Sequence, residues 1–154
     1  MSFNELPLEI RVKIGRQYWK LMFVKSLSGA YGETDSPAGK NKTIRVRRRL
    51  KQDVLLDTII HELLHASEWA AGEEWIDKLA TNMSQVLILA GWSRRQIKSS
   101  TKQEQLIKLI HTCLRLAKPQ LDYDHWADVA AQDIARVIWR LGWRCDPKFI
   151  SEEK

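Results

Sequence analysis

Residues able to do chemistry concentrate in "HELLHASEWAAGEEWIDKL", positions 61 to 79, where two histidines stand four apart and a glutamate follows the first. On a helix, His61 and His65 lie one turn apart on the same face, so both imidazoles can reach one zinc ion. Glu62, displaced by about 100° around the axis, can address a water on that ion without ligating it. The spacing therefore predicts one zinc ion per chain. It also predicts Glu62 as the general base of an amide hydrolysis, taking a proton from attacking water and passing it to the leaving amine. The competing reading is two packing or surface histidines beside a solvated glutamate.

The elements that must position these groups follow from periodicity and punctuation. Asp53 is placed to cap a helix from Val54 to about Trp69, interrupted at Gly72. A second helix is expected from Glu73 to Ala90, stopping at Gly91. Ile76, Leu79, Ala80, Met83, Leu87 and Ala90 share one side of it, Glu73 borders that side and Glu74 points away. "TKQE", residues 101 to 104, has capping-box spacing and opens a third helix that ends before Pro119. A last helix runs from about Tyr123 to Leu141, with Gly142 as its stop. Upstream, Pro7 suits the first turn of a helix running to about Lys25, with Ile10, Ile14, Leu21 and Met22 on its apolar side. Residues 28 to 41 read as a loop, part of it able to order as a short hairpin. "KTIRVRRRL", residues 42 to 50, reads as an exposed edge strand protected by its charge.

"IIHELLHA", residues 59 to 66, resembles the active-site helix of the zincin metallopeptidases. "TIRVRRR" before it resembles the family's edge strand, which holds an extended peptide substrate. The resemblance covers roughly residues 42 to 90, and the small size is similar to that of compact peptidases carried by phages and prophages. The metzincin extension needs a histidine six residues after His65, where this chain has Ala71. The gluzincin pattern takes a glutamate from a following helix, within E-x-x-x-D, and "EEWID" matches it. That resemblance implies Glu73 as the third zinc ligand and Asp77 as the carboxylate supporting a ligand histidine. Only seven residues separate His65 from Glu73, so Glu74 stays open as the alternative third ligand, with Asp77 after it. Glu68 is less suited, lying nearly a turn beyond His65.

The two halves of the chain match at an offset of 51 residues without a gap. Ile59 pairs with Ile110, Leu63 with Leu114, Trp75 with Trp126, Asp77 with Asp128, and Gly91-Trp92 with Gly142-Trp143. The pattern suggests an internal duplication, 54–92 and 105–143, of one helical hairpin. The chemistry does not repeat, because His61, Glu62 and His65 face Thr112, Cys113 and Leu116. The register sets Tyr123 and His125 opposite Gly72 and Glu74, which makes them candidates for oxyanion or substrate contacts; His111 is another. Each has a plainer reading as a cap or surface residue. The fold class expected is α+β and predominantly helical, a minimal zincin-like core with a short edge strand and two similar helical hairpins. All 154 residues are expected to form a single domain.

Composition narrows the partners. Lys and Arg number 25 against 19 Asp and Glu, a net charge of +6, and part of it sits in "RVRRRLK", Arg45 to Lys51. No recognised nucleic-acid motif accompanies that stretch, so a protein or peptide substrate is favoured over nucleic acid. Cys113 and Cys145 form no ligand cluster and read as reduced thiols of a cytoplasmic protein. The longest strongly apolar run, residues 86 to 92, is far short of a membrane span. Seven tryptophans read mainly as core and interhelix packing. Two other functions are compatible with the sequence. One is a catalytically inactive, zinc-stabilised protein-binding module; the other is a metal-free basic helical adaptor.

Overall fold

The computed structural model describes residues 6–94, 103–117 and 124–145. The fold is α+β: a four-stranded mixed sheet followed by two helical hairpins, each ending in a short strand. The strands are β1 (Glu9–Ile14), β2 (Gln17–Val24), β3 (Gly32–Thr34) and β4 (Thr43–Arg47), in the order β1-β2-β4-β3. β1 and β2 are antiparallel, β2 and β4 parallel, and β3 returns antiparallel on β4.

The helix expected from Pro7 to Lys25 is therefore a β-hairpin. Ile10, Ile14, Leu21 and Met22 do lie near helical spacing, but the buried set is Val12, Ile14, Trp19, Leu21 and Phe23, with period two in each strand. β-branched and aromatic residues fill the pleat, and Gly15 at φ 58° makes the two-residue turn between the strands. "TIRVR" is a strand as expected, but an interior one. β2 and β3 pair with its two sides, and the sheet edge next to the helices is β3, inside the stretch expected as a loop.

The buried sheet residues, with Ile44 and Val46 of β4, pack against α1 (Gln52–Ser67). α1 is the central element. Leu55, Leu56, Ile59, Ile60, Leu63 and Leu64 are all buried between the sheet and α2 (Glu73–Leu89), which turns back along it. Asp53 is not the cap of α1. Lys51 occupies that position without a side-chain cap bond, and Asp53 sits in the first turn.

The second hairpin is α3 (Gln103–Ala117) and α4 (Asp124–Arg140); the capping-box residue Thr101 lies outside the described residues. α2 and α4 each end at a glycine with positive φ, Gly91 at 85° and Gly142 at 89°. β5 (Trp92–Arg94) and β6 (Trp143–Cys145) follow and pair antiparallel. The central pair is Ser93 with Arg144, two positions 51 apart in sequence, and Trp75 and Trp126, also 51 apart, meet with ring centroids 6.3 Å apart. No described helix is long and apolar enough to cross a membrane.

Candidate metal centre

α1 buries one broad arc of leucine and isoleucine, and the narrower strip that remains includes the side facing the start of α2. His61 and His65 occupy that strip, half-buried and one turn apart. The chain leaves α1 at Ser67, turns tightly through residues 68 to 72, and starts α2 at Glu73 with Gly72 in the cap position. The first residue of α2 is thereby brought back over the last turns of α1. The Nε2 atoms of His61 and His65 lie 3.0 Å apart. Glu73 bridges them, Oε1 at 3.0 Å from His61 Nε2 and Oε2 at 2.9 Å from His65 Nε2. One turn further along α2, Asp77 Oδ1 stands 3.1 Å from His61 Nδ1.

This arrangement decides which imidazole nitrogens are free. Carboxylates face both ring nitrogens of His61, Asp77 at Nδ1 and Glu73 at Nε2; with the proton on Nδ1 towards Asp77, Nε2 would offer a lone pair to a metal ion. Burial, then the neighbouring His61, lowers the His65 pKa below the usual histidine value, with Glu73 opposing the shift. Two imidazole Nε2 atoms and the Glu73 carboxylate therefore converge on one point. Zinc held by bonds of about 2.0–2.1 Å in a tetrahedron needs donors about 3.3 Å apart. The observed separations of 2.9 to 3.0 Å reach that spacing with an outward shift of about 0.3–0.4 Å. Among the described residues, His61, His65 and Glu73 are the group of three His, Cys, Asp or Glu side chains whose ligand atoms gather this closely. The Glu73 side chain is largely exposed, so the cluster opens to solvent on its α2 side.

Glu62 lies at the next position around α1 and points to the sheet edge. It is only 5% exposed. Thr34 of β3 donates its hydroxyl to Glu62 Oε2 at 2.6 Å. Burial pushes the Glu62 carboxyl above the usual carboxylate range, while the Thr34 bond and the charge on His61 oppose the rise. The backbone of Gly32 lies directly against this side chain: a Cβ there would stand 2.7 Å from both Cγ and Oε1 of Glu62.

The other candidates separate clearly. Glu74 turns away and meets Lys78 at 2.7 Å, so it does not join the cluster. Glu68 also stays outside the converging group. His125 is exposed at the start of α4, and Tyr123 lies outside the described residues. His111 stands 2.7 Å from Asp128, between α3 and α4. Residue types alone did not single out Thr34 and Gly32. The available signal was the short "GET" three residues before a proline, too brief to distinguish a strand from loop. Beside His65, Trp69 is 48% exposed with its ring centroid 6.2 Å from the imidazole. It walls a cleft of about 370 Å³ that Ala66, Trp126, Ala130 and the β1–β2 turn also line.

Comparison of the chain with models of known protein families, with curated proteins and with solved structures finds no match. What the site can do has to be argued from its own residues.

Proposed function

We propose that this chain is a zinc-dependent hydrolase that cleaves an amide, most simply the peptide bond of a protein or peptide substrate. The observation that carries the proposal is the convergence of His61 Nε2, His65 Nε2 and both oxygens of Glu73, with the Glu62 carboxyl on the adjoining position of the same helical turn. His61, His65 and Glu73 would hold the ion, and the exposed side of the cluster leaves room for water and substrate. Zinc, when bound, lowers the pKa of a water and polarises a carbonyl. Glu62 accepts the proton of the attacking water as its oxygen bonds to the carbonyl carbon, then delivers that proton to the nitrogen as the carbon–nitrogen bond breaks. Thr34 keeps one oxygen of Glu62 occupied, which orients the carboxyl and leaves Oε1 for proton transfer. Burial raises the Glu62 pKa, which makes the carboxylate a better proton acceptor. Asp77 fixes the ring of His61 by accepting from Nδ1.

The test pairs metal content with hydrolysis. Zinc-loaded protein is incubated with a mixed peptide library and new termini are read by mass spectrometry. Glu62→Gln is expected to retain zinc and lose cleavage by at least about a hundredfold. Zinc-loaded wild type that cleaves nothing would leave a zinc-stabilised binding module. Glu62→Gln that cleaves as well as wild type would remove Glu62 from the chemistry.

A further inference from the structure

A second concave site lies at the opposite end of α1. β2 and β4 are parallel and end side by side, Val24 opposite Arg47, so the residues that follow them enter the same space. Those residues are Lys25 and Arg48, with the Arg48 N–H donating to the Val24 carbonyl at 2.9 Å. With Arg49, Gln52 and Leu55 from the start of α1 and Arg94 from β5, they line a cavity of about 460 Å³. Among the described residues, four of its lining side chains are cationic and none is acidic.

Four other cations of the sheet each have a partner. Lys20 meets Glu9, Arg45 meets both Glu33 and Asp35, and Arg11 and Arg47 lie over the rings of Tyr18 and Tyr31. Among the described residues, none of the four cavity cations has an acidic partner within ion-pair distance. Arg94 is fixed in place by donating Nε–H to the Leu141 carbonyl at 2.9 Å. Its partial burial lowers its pKa, as expected where a charge is withdrawn from water without a counter-charge. Like charges gathered in one concave space repel, and a multiply charged anion would relieve that repulsion. The first turn of α1 has no side-chain cap, and its one carboxylate, Asp53, offsets part of the positive potential there. Guanidinium groups match phosphate oxygens in pairs, and Leu55 offers apolar surface beside them for an attached organic group.

We propose that this cavity binds a compact, multiply charged phosphate ligand of the diphosphate class. The site is independent of the metal centre: nine residues of α1 separate Gln52 from His61, about 14 Å along the axis. Its test therefore stands whether or not the chain is a hydrolase.

The experiment titrates inorganic pyrophosphate into the full chain at 100 mM salt, following amide shifts by NMR and heat by calorimetry. ADP and a single-stranded oligonucleotide serve as further probes. Saturable one-to-one binding is expected, with shifts centred on residues 25, 48–55 and 94. Arg48→Gln should weaken it at least about tenfold, while Lys40→Gln, the same change of charge elsewhere, should leave it within about twofold. Arg49→Gln serves if Arg48→Gln fails to fold. ADP binding tighter than pyrophosphate, with the same shifts, would identify an organic diphosphate as the preferred form of the ligand. The proposal is overturned if pyrophosphate does not saturate, or if the two charge variants weaken it equally. It is also overturned if only the oligonucleotide binds, since that would describe an extended basic surface.

Discussion

The backbone of Gly32 packs directly against the Glu62 side chain, and replacing it with alanine makes a quantitative test. The added Cβ would lie 2.7 Å from Cγ and Oε1 of Glu62 and 2.8 Å from Cγ2 of Thr58, about 0.7 Å inside ordinary contact. Gly32 has no positive φ, so alanine is not strained by the backbone itself. Taken alone, the loss of glycine's freedom in the unfolded chain would stabilise by about 0.4–1 kcal/mol. Overpacking against two buried side chains on a rigid helix costs about 1–3 kcal/mol and wins. The net is a destabilisation of about 1–2 kcal/mol, or a fall in Tm of about 2–8 °C for a chain of this size. Differential scanning calorimetry measures it directly. The clash has named partners, so it can be relieved. In a Glu62→Ala background the cost of Gly32→Ala should drop by about 1 kcal/mol. The displaced Glu62 should also lower hydrolysis by about a hundredfold, as misplacement of a catalytic group by most of an ångström does. A Gly32→Ala protein as stable and as active as wild type would refute the close approach of β3 to Glu62, and with it the account of how that carboxyl is held.

Three further outcomes follow from the same contacts. Asp77→Ala removes the acceptor at His61 Nδ1 and should weaken zinc binding by about 10–100-fold in a competition titration, whereas Glu74→Gln should leave it unchanged. Glu73→Gln should weaken binding more than Asp77→Ala does, because it alters a proposed ligand and not its support. Asp133, buried on α4, accepts from the Gly15 N–H at 2.7 Å and from Arg136 at 3.0 Å, tying the β1–β2 turn to the second hairpin. Asp133→Ala orphans that N–H and should cost about 1–3 kcal/mol in urea unfolding, with zinc affinity unaltered.

The helical hairpins were open to sequence reasoning because their signals are local. α1 and α2 carry long apolar periodicity, and glycine punctuates both ends of α2. The choice of Glu73 over Glu74 was harder, because it turns on where α2 begins. With Gly72 at the cap, Glu73 is the residue that swings back over α1, and Glu74 is left to Lys78. The β1–β2 hairpin was misread because Ile10, Ile14, Leu21 and Met22 mimic a helical stripe, whereas the alternation of Trp19, Leu21 and Phe23 carried the true period. Thr34 and Gly32 were beyond reach for a different reason. Their importance comes from a non-local contact, 28 residues from Thr34 to Glu62, that a three-residue strand does not announce. The basic run at 45 to 51 was visible as charge. That its members divide between paired sheet residues and an unpaired cavity depends on strand register.

The central claim is that two imidazoles and Glu73 share one divalent ion. Its most direct test is the zinc content of the natively purified chain, produced with ample zinc and measured by elemental mass spectrometry. One zinc per chain is expected, lost in the His61→Ala, His65→Ala double variant. Folded protein that contains no zinc, or a double variant that keeps it, would contradict the account.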